Sequence, residues 1–99
     1  MARFDVFRNP AGGGFLLDVQ ADALDALNSR VVVPLLPVRD APKPAGRLNP
    51  VFDVEGQRVV MVTQFIAAIA VFHLGSHVLS LTDEGVAITN ALDLLLTGV

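Results

Sequence analysis

The chain has 99 residues, enough for one hydrophobic core and too few for two, so residues 1–99 are expected to form a single domain. Ten acidic and seven basic side chains give a net charge of −3, and the basic ones (Arg3, Arg8, Arg30, Arg39, Lys43, Arg47, Arg58) are scattered, a poor footprint for direct binding to a nucleic-acid backbone. Cysteine is absent, which excludes disulfides and thiolate metal sites and is compatible with the cytoplasm.

The start, Met1-Ala-Arg-Phe-Asp-Val, lacks the long apolar core of a signal peptide, so export is not expected. Arg3 to Arg8 and Phe15 to Gln20 read as a hairpin about the turn Asn9–Gly14. Phe15, Leu17 and Val19 fall on one face of the second strand, and Asp18 and Gln20 on the other, the period of a half-buried strand. Asp22 to Leu27 is a short helical turn or a loop. Val31–Leu36 reads as a buried strand, and Pro34, which cannot donate to a ladder, places it at an edge or a bulge.

Pro37 to Pro50 holds four prolines, Gly46 and several charges, the composition of a long surface loop. Val51–Val54, the turn Glu55-Gly56 and Gln57–Thr63 form the clearest hairpin signal. Ile69–Leu74 and Val78–Leu81 add strand. The apolar run Val59–Leu74 is interrupted by Thr63 and Gln64 and falls short of about 18 residues, so it does not read as a membrane span.

Thr82-Asp83-Glu84 offers a cap and two carboxylates to a final helix. Ile88, Leu92, Leu95 and Val99 give the 3–4 spacing of an amphipathic helix, and Leu94 and Leu96 widen the stripe beyond what one buried face requires. This helix is therefore expected to pack on its own domain with one face and to meet a partner, or a second copy, with another. The apolar fraction of 53%, taken before glycine is counted, agrees, although a genome rich in alanine and valine would give the same surplus. Several short strands followed by one helix point to a mainly β fold with α: a bent antiparallel sheet or small SH3-like barrel crossed by a C-terminal helix.

Chemistry is sparse. His73 and His77 are four apart, but Leu74-Gly75-Ser76 between them reads as a strand end and turn, which spoils a helical metal pair. Asp18, Asp22 and Asp25 read as a solvated acidic turn rather than a cation site. Gly12-Gly13-Gly14 joins two strands and lacks the Gly-Lys-Ser/Thr ending of a phosphate loop. No serine or threonine has a histidine in a hydrolase signature. Neither a catalytic residue, a metal site nor a cofactor is expected.

Several stretches in this order resemble the CcdB family of toxins: Phe4-Asp-Val-Phe7, Leu17-Asp-Val-Gln-Ala-Asp22 with Asp25, Arg30-Val-Val-Val-Pro-Leu35, Leu48-Asn-Pro-Val51, and Ile88 to Val99. The resemblance implies a bent sheet of the CcdB type and a homodimer whose C-terminal helices end close together. It implies a non-enzymatic toxin of a type II toxin–antitoxin module that binds the DNA gyrase A subunit and traps the gyrase–DNA cleavage complex, a form of topoisomerase inhibition. A CcdA-like antitoxin with a tail that folds on binding is the implied second partner, and the pair would repress its own operon. The family's gyrase contacts fall on Ala23, Leu24, Asp25, Asp93, Thr97, Gly98 and Val99. Thr97 replaces a tryptophan and Asp93 an asparagine, so a weakened toxin is implied. The alternatives are an endoribonuclease toxin on the related barrel, or an inactive structural homologue.

Overall fold

A computed structural model describes residues 2–99; Met1, the first residue of the expected domain, lies outside it. The strands are β1 (Asp5–Arg8), β2 (Phe15–Asp18), β3 (Ser29–Pro37), β4 (Val51–Val54), β5 (Gln57–Met61), β6 (Ala67–Ala70) and β7 (His77–Ser80), and the helix is α1 (Gly85–Thr97). All pairings are antiparallel, in the order β4-β5-β3-β2-β1-β7, with β6 added to β3. The sheet curls into a half-barrel around α1, as the strand-and-helix pattern anticipates.

Its organiser is β3. Ser29–Val32 pairs with β6 and Leu35–Pro37 with β5, while the other side of the strand pairs with β2 throughout Val32–Leu35. Pro34 thus stands in a central strand, not at an edge. Its carbonyl accepts the Val62 N–H at 3.0 Å, on the side away from β2. Within a strand a residue's N–H and C=O point the same way, so the missing donor falls where β6 has ended and β5 has not yet begun.

The core lies between the sheet's inner face and the helix: Val6, Phe15, Leu17, Val33, Leu35, Val54, Val59 and Met61 pack with Ile88, Ala91 and Leu92. β2 departs from the half-buried expectation, since Phe15 through Gln20 are all buried. Asp18 is tolerated there because Arg30, also fully buried, pairs with it, and its second oxygen accepts the Gln20 N–H at 3.0 Å. The β4–β5 turn has φ of 53° at Glu55 and 76° at Gly56, the primed geometry that matches strand twist.

Two expected elements are redrawn. Ile69–Leu74 is strand only as far as Ala70, and Val71–His73 is a 3₁₀ turn. Thr82–Glu84 is another 3₁₀ turn leading into α1, without a side-chain cap; the Thr82 hydroxyl bonds Ser80 instead, at 2.6 Å. The segment 37–50 is the expected loop, broken by 3₁₀ turns at Val38–Asp40 and Gly46–Leu48. Its Asn49 is buried and donates to the Met61 carbonyl at 3.0 Å. No helix of the described residues is long and apolar enough to cross a membrane.

Candidate functional site

The far end of α1 collects four of the expected contact residues. Ile88, Ala91 and Leu92 face the core, but Leu96 is 70% exposed and Val99 82% exposed. Gly98 takes the left-handed conformation at φ 78° that ends helices, and its N–H donates to the Leu94 carbonyl at 3.0 Å. The Thr97 hydroxyl donates to the Asp93 carbonyl at 2.7 Å. The proline-rich loop then fastens the end, since Arg47 Nη2 donates to the oxygen of Val99 at 2.6 Å. Asp93 is exposed and enters no ion pair among the described residues.

Ala23, Leu24 and Asp25 lie elsewhere, on the exposed 3₁₀ turn Asp22–Leu24 and its cap. Gln20 Nε2 donates to the Leu24 carbonyl at 2.9 Å, and Asp22 accepts the Arg3 N–H at 2.7 Å. No hydrogen bond joins this turn to the end of α1 among the described residues. The acidic-turn reading holds for Asp22 and Asp25 only. Asp18 is fully buried beneath them against Arg30, whose Nη1 is a buried donor without a partner.

A second set of groups lies on the sheet face turned away from α1. His77 Nε2 approaches Asp5 Oδ1 to 3.3 Å, and the imidazole meets the Phe7 ring edge-on with centroids 5.5 Å apart. Nearby, Asn9, Leu16, Ile69, Phe72 and His73 help line a hollow of about 540 Å³, and Phe72 is 82% exposed. The sequence offered His73 and His77 only as a rejected metal pair. The Asp5 partner was hidden because it depends on strand pairing across the chain.

A half-barrel of this topology with one apolar helix end matches the model of the CcdB family, described as CcdB protein, over residues 3–98. The chain belongs to the CcdB family, and so to the toxins of toxin–antitoxin systems. No curated protein matches it. Among solved structures it is similar to an endoribonuclease in complex with its cognate antitoxin from a mycobacterial species, with a TM-score of 0.77, 18% identity, and coverage of 97% of this chain and 94% of the other. An endoribonuclease from a mycobacterial species matches with the same TM-score and identity, over 97% of this chain and 90% of its own.

At 18% identity the likeness establishes the fold. It also corrects one expectation. The chain was expected not to be an enzyme, yet solved proteins with its fold are endoribonucleases, so this architecture gives no ground for excluding catalysis.

Proposed function

We propose that the chain is a gyrase-directed toxin that docks on the gyrase A subunit in the cytoplasm through the exposed end of α1. The observation that carries this reading is the conjunction of family membership with the solvent-facing Leu96 and Val99. Asp93, Thr97, Gly98 and Val99 supply one contact region and Ala23, Leu24 and Asp25 a second. A homodimer brings two helix ends into one platform. Phe65, 52% exposed on the 3₁₀ turn that packs against α1, extends the apolar surface available for that association. An antitoxin tail is the neutralising partner, in keeping with the antitoxin-bound structure that shares the fold. Together the pair represses its operon.

Thr97 and Asp93 weaken the docking, since an aromatic anchor at an interface centre commonly accounts for about 2 kcal/mol, roughly thirtyfold in affinity. A supercoiling and cleavage assay with gyrase from the source organism tests the reading. Inhibition with accumulation of cleaved DNA is expected; full supercoiling and no trapped complex would remove gyrase as the target.

A second reading, endoribonuclease, is favoured by the solved structures of the same fold. Incubation with single-stranded RNA tests it, and intact RNA disposes of it.

A further inference from the structure

The histidine on the outer sheet face owes its position to a β-bulge. Val6 stands opposite Leu79 and Phe7 opposite His77, so Val78 has no partner on β1. Side chains alternate along a strand; without the extra residue, Val78 would face Phe7 and the imidazole would turn toward the helix side. Bulges cost ladder bonding and re-aim side chains. Here the bulge delivers a half-exposed imidazole to a carboxylate that is only 14% exposed. Gly75 allows the preceding turn to close against β1, because a Cβ there would lie 2.4 Å from the Arg8 carbonyl oxygen.

With Nε2 turned to Asp5, the free nitrogen of His77 is Nδ1. Nε2 lies 3.3 Å from Asp5 Oδ1 without the alignment of a formed hydrogen bond. A carboxylate placed to hold one ring nitrogen while the other faces substrate is the arrangement of a general base, and such contacts tighten when substrate binds. Two strands along the same face, about 10 Å at ordinary strand spacing, Leu16 borders the hollow beneath Phe72. An exposed aromatic beside an apolar hollow is a stacking platform for an unpaired base. Asn9 stands in the same lining, and its side-chain N–H groups have no acceptor among the described residues.

We propose that this face is a ribonucleolytic site, with His77 as general base, Asp5 positioning it and Phe72 stacking a base of single-stranded RNA. The inference rests on the ribonuclease reading and assigns it residues; it is independent of gyrase docking. His77 Nδ1 takes the proton of a ribose 2′-hydroxyl, that oxygen bonds to the adjacent phosphorus, and the bond from phosphorus to the 5′ oxygen breaks. The leaving oxygen takes a proton from water, and the imidazolium returns its proton to the hydroxide so formed. The products are a 2′,3′-cyclic phosphate and a 5′-hydroxyl, and no co-reactant is consumed.

The test uses the full chain on a labelled single-stranded RNA and on its all-deoxy counterpart. Cleavage of the RNA alone, leaving cyclic phosphate ends, is expected. His77→Ala and His77→Gln should each lower kcat by about 10²–10⁴-fold while melting at the wild-type temperature, and added imidazole should restore part of the His77→Ala rate. Asp5→Asn should lower kcat, with partial recovery in Asp5→Glu, and Phe72→Ala should raise KM at nearly constant kcat. Intact RNA with the wild-type chain overturns both the ribonuclease reading and this assignment. Cleavage by both His77 variants at the wild-type rate overturns the assignment alone.

Discussion

Thr97 spends its hydroxyl on the Asp93 carbonyl one turn back, so the position offers a partner little beyond a methyl group. Replacing it with tryptophan restores a large apolar anchor at an exposed helix end. Thr97→Trp should tighten binding to a purified gyrase A fragment by roughly thirtyfold, read by calorimetry. In cells, arrest by the variant alone would identify the wild type as a lapsed toxin. Asp18 poses the opposite case, because its role is wholly internal. It pairs with Arg30 at zero exposure on both sides, and removing one partner leaves an uncompensated buried charge. Asp18→Ala should cost about 3–5 kcal/mol in urea denaturation, whereas Asp18→Leu with Arg30→Met should recover most of it.

At the scale of elements, the glycine-rich β1–β2 turn shows how backbone geometry fixes residue choice. A Cβ on Gly14 would fall 2.2 Å from the Leu35 carbonyl oxygen, and its φ is +120°. Gly14→Ala should therefore destabilise on the order of 3 kcal/mol, through both strain and clash, measured by the same denaturation. The proline-rich loop and α1 form a second unit, because Arg47 reaches across to the oxygen of Val99. Arg47→Ala should speed amide hydrogen exchange at Gly98 several-fold while leaving exchange in the β2–β3 core unchanged. An unchanged Gly98 amide would mean that the loop does not hold the helix end.

For the whole molecule, the question is how its exposed apolar surface is covered. Leu96 lies outside the core, so Leu96→Glu should change folding stability by no more than about 0.5 kcal/mol. If the helix ends join two subunits, the same change should shift the sedimentation profile from dimer toward monomer and weaken gyrase binding in parallel. A dimer that persists at the wild-type concentration would place the interface elsewhere. The sheet's outer face provides the other large exposed aromatic, Phe72, so RNA recognition would lie on the sheet face turned away from α1, apart from Leu96 and Val99 on the helix end.

The sequence alone determined the strand-rich first two-thirds, the β4–β5 hairpin and the amphipathic final helix, because each is a local pattern: alternation, a turn pair with positive φ, and a stripe of 3–4 spacing. It also carried the family resemblance that the match over residues 3–98 establishes. Only the tertiary structure decided what depends on pairing between distant segments. Pro34 sits inside a central strand because two other strands share that side of β3 end to end. Asp18 is buried because Arg30 lies beside it, twelve positions further along the chain. His77 meets Asp5 because a single unpaired residue on β7 shifts its register against β1. A one-residue offset reverses which face a side chain occupies, and no local pattern in the sequence records such an offset.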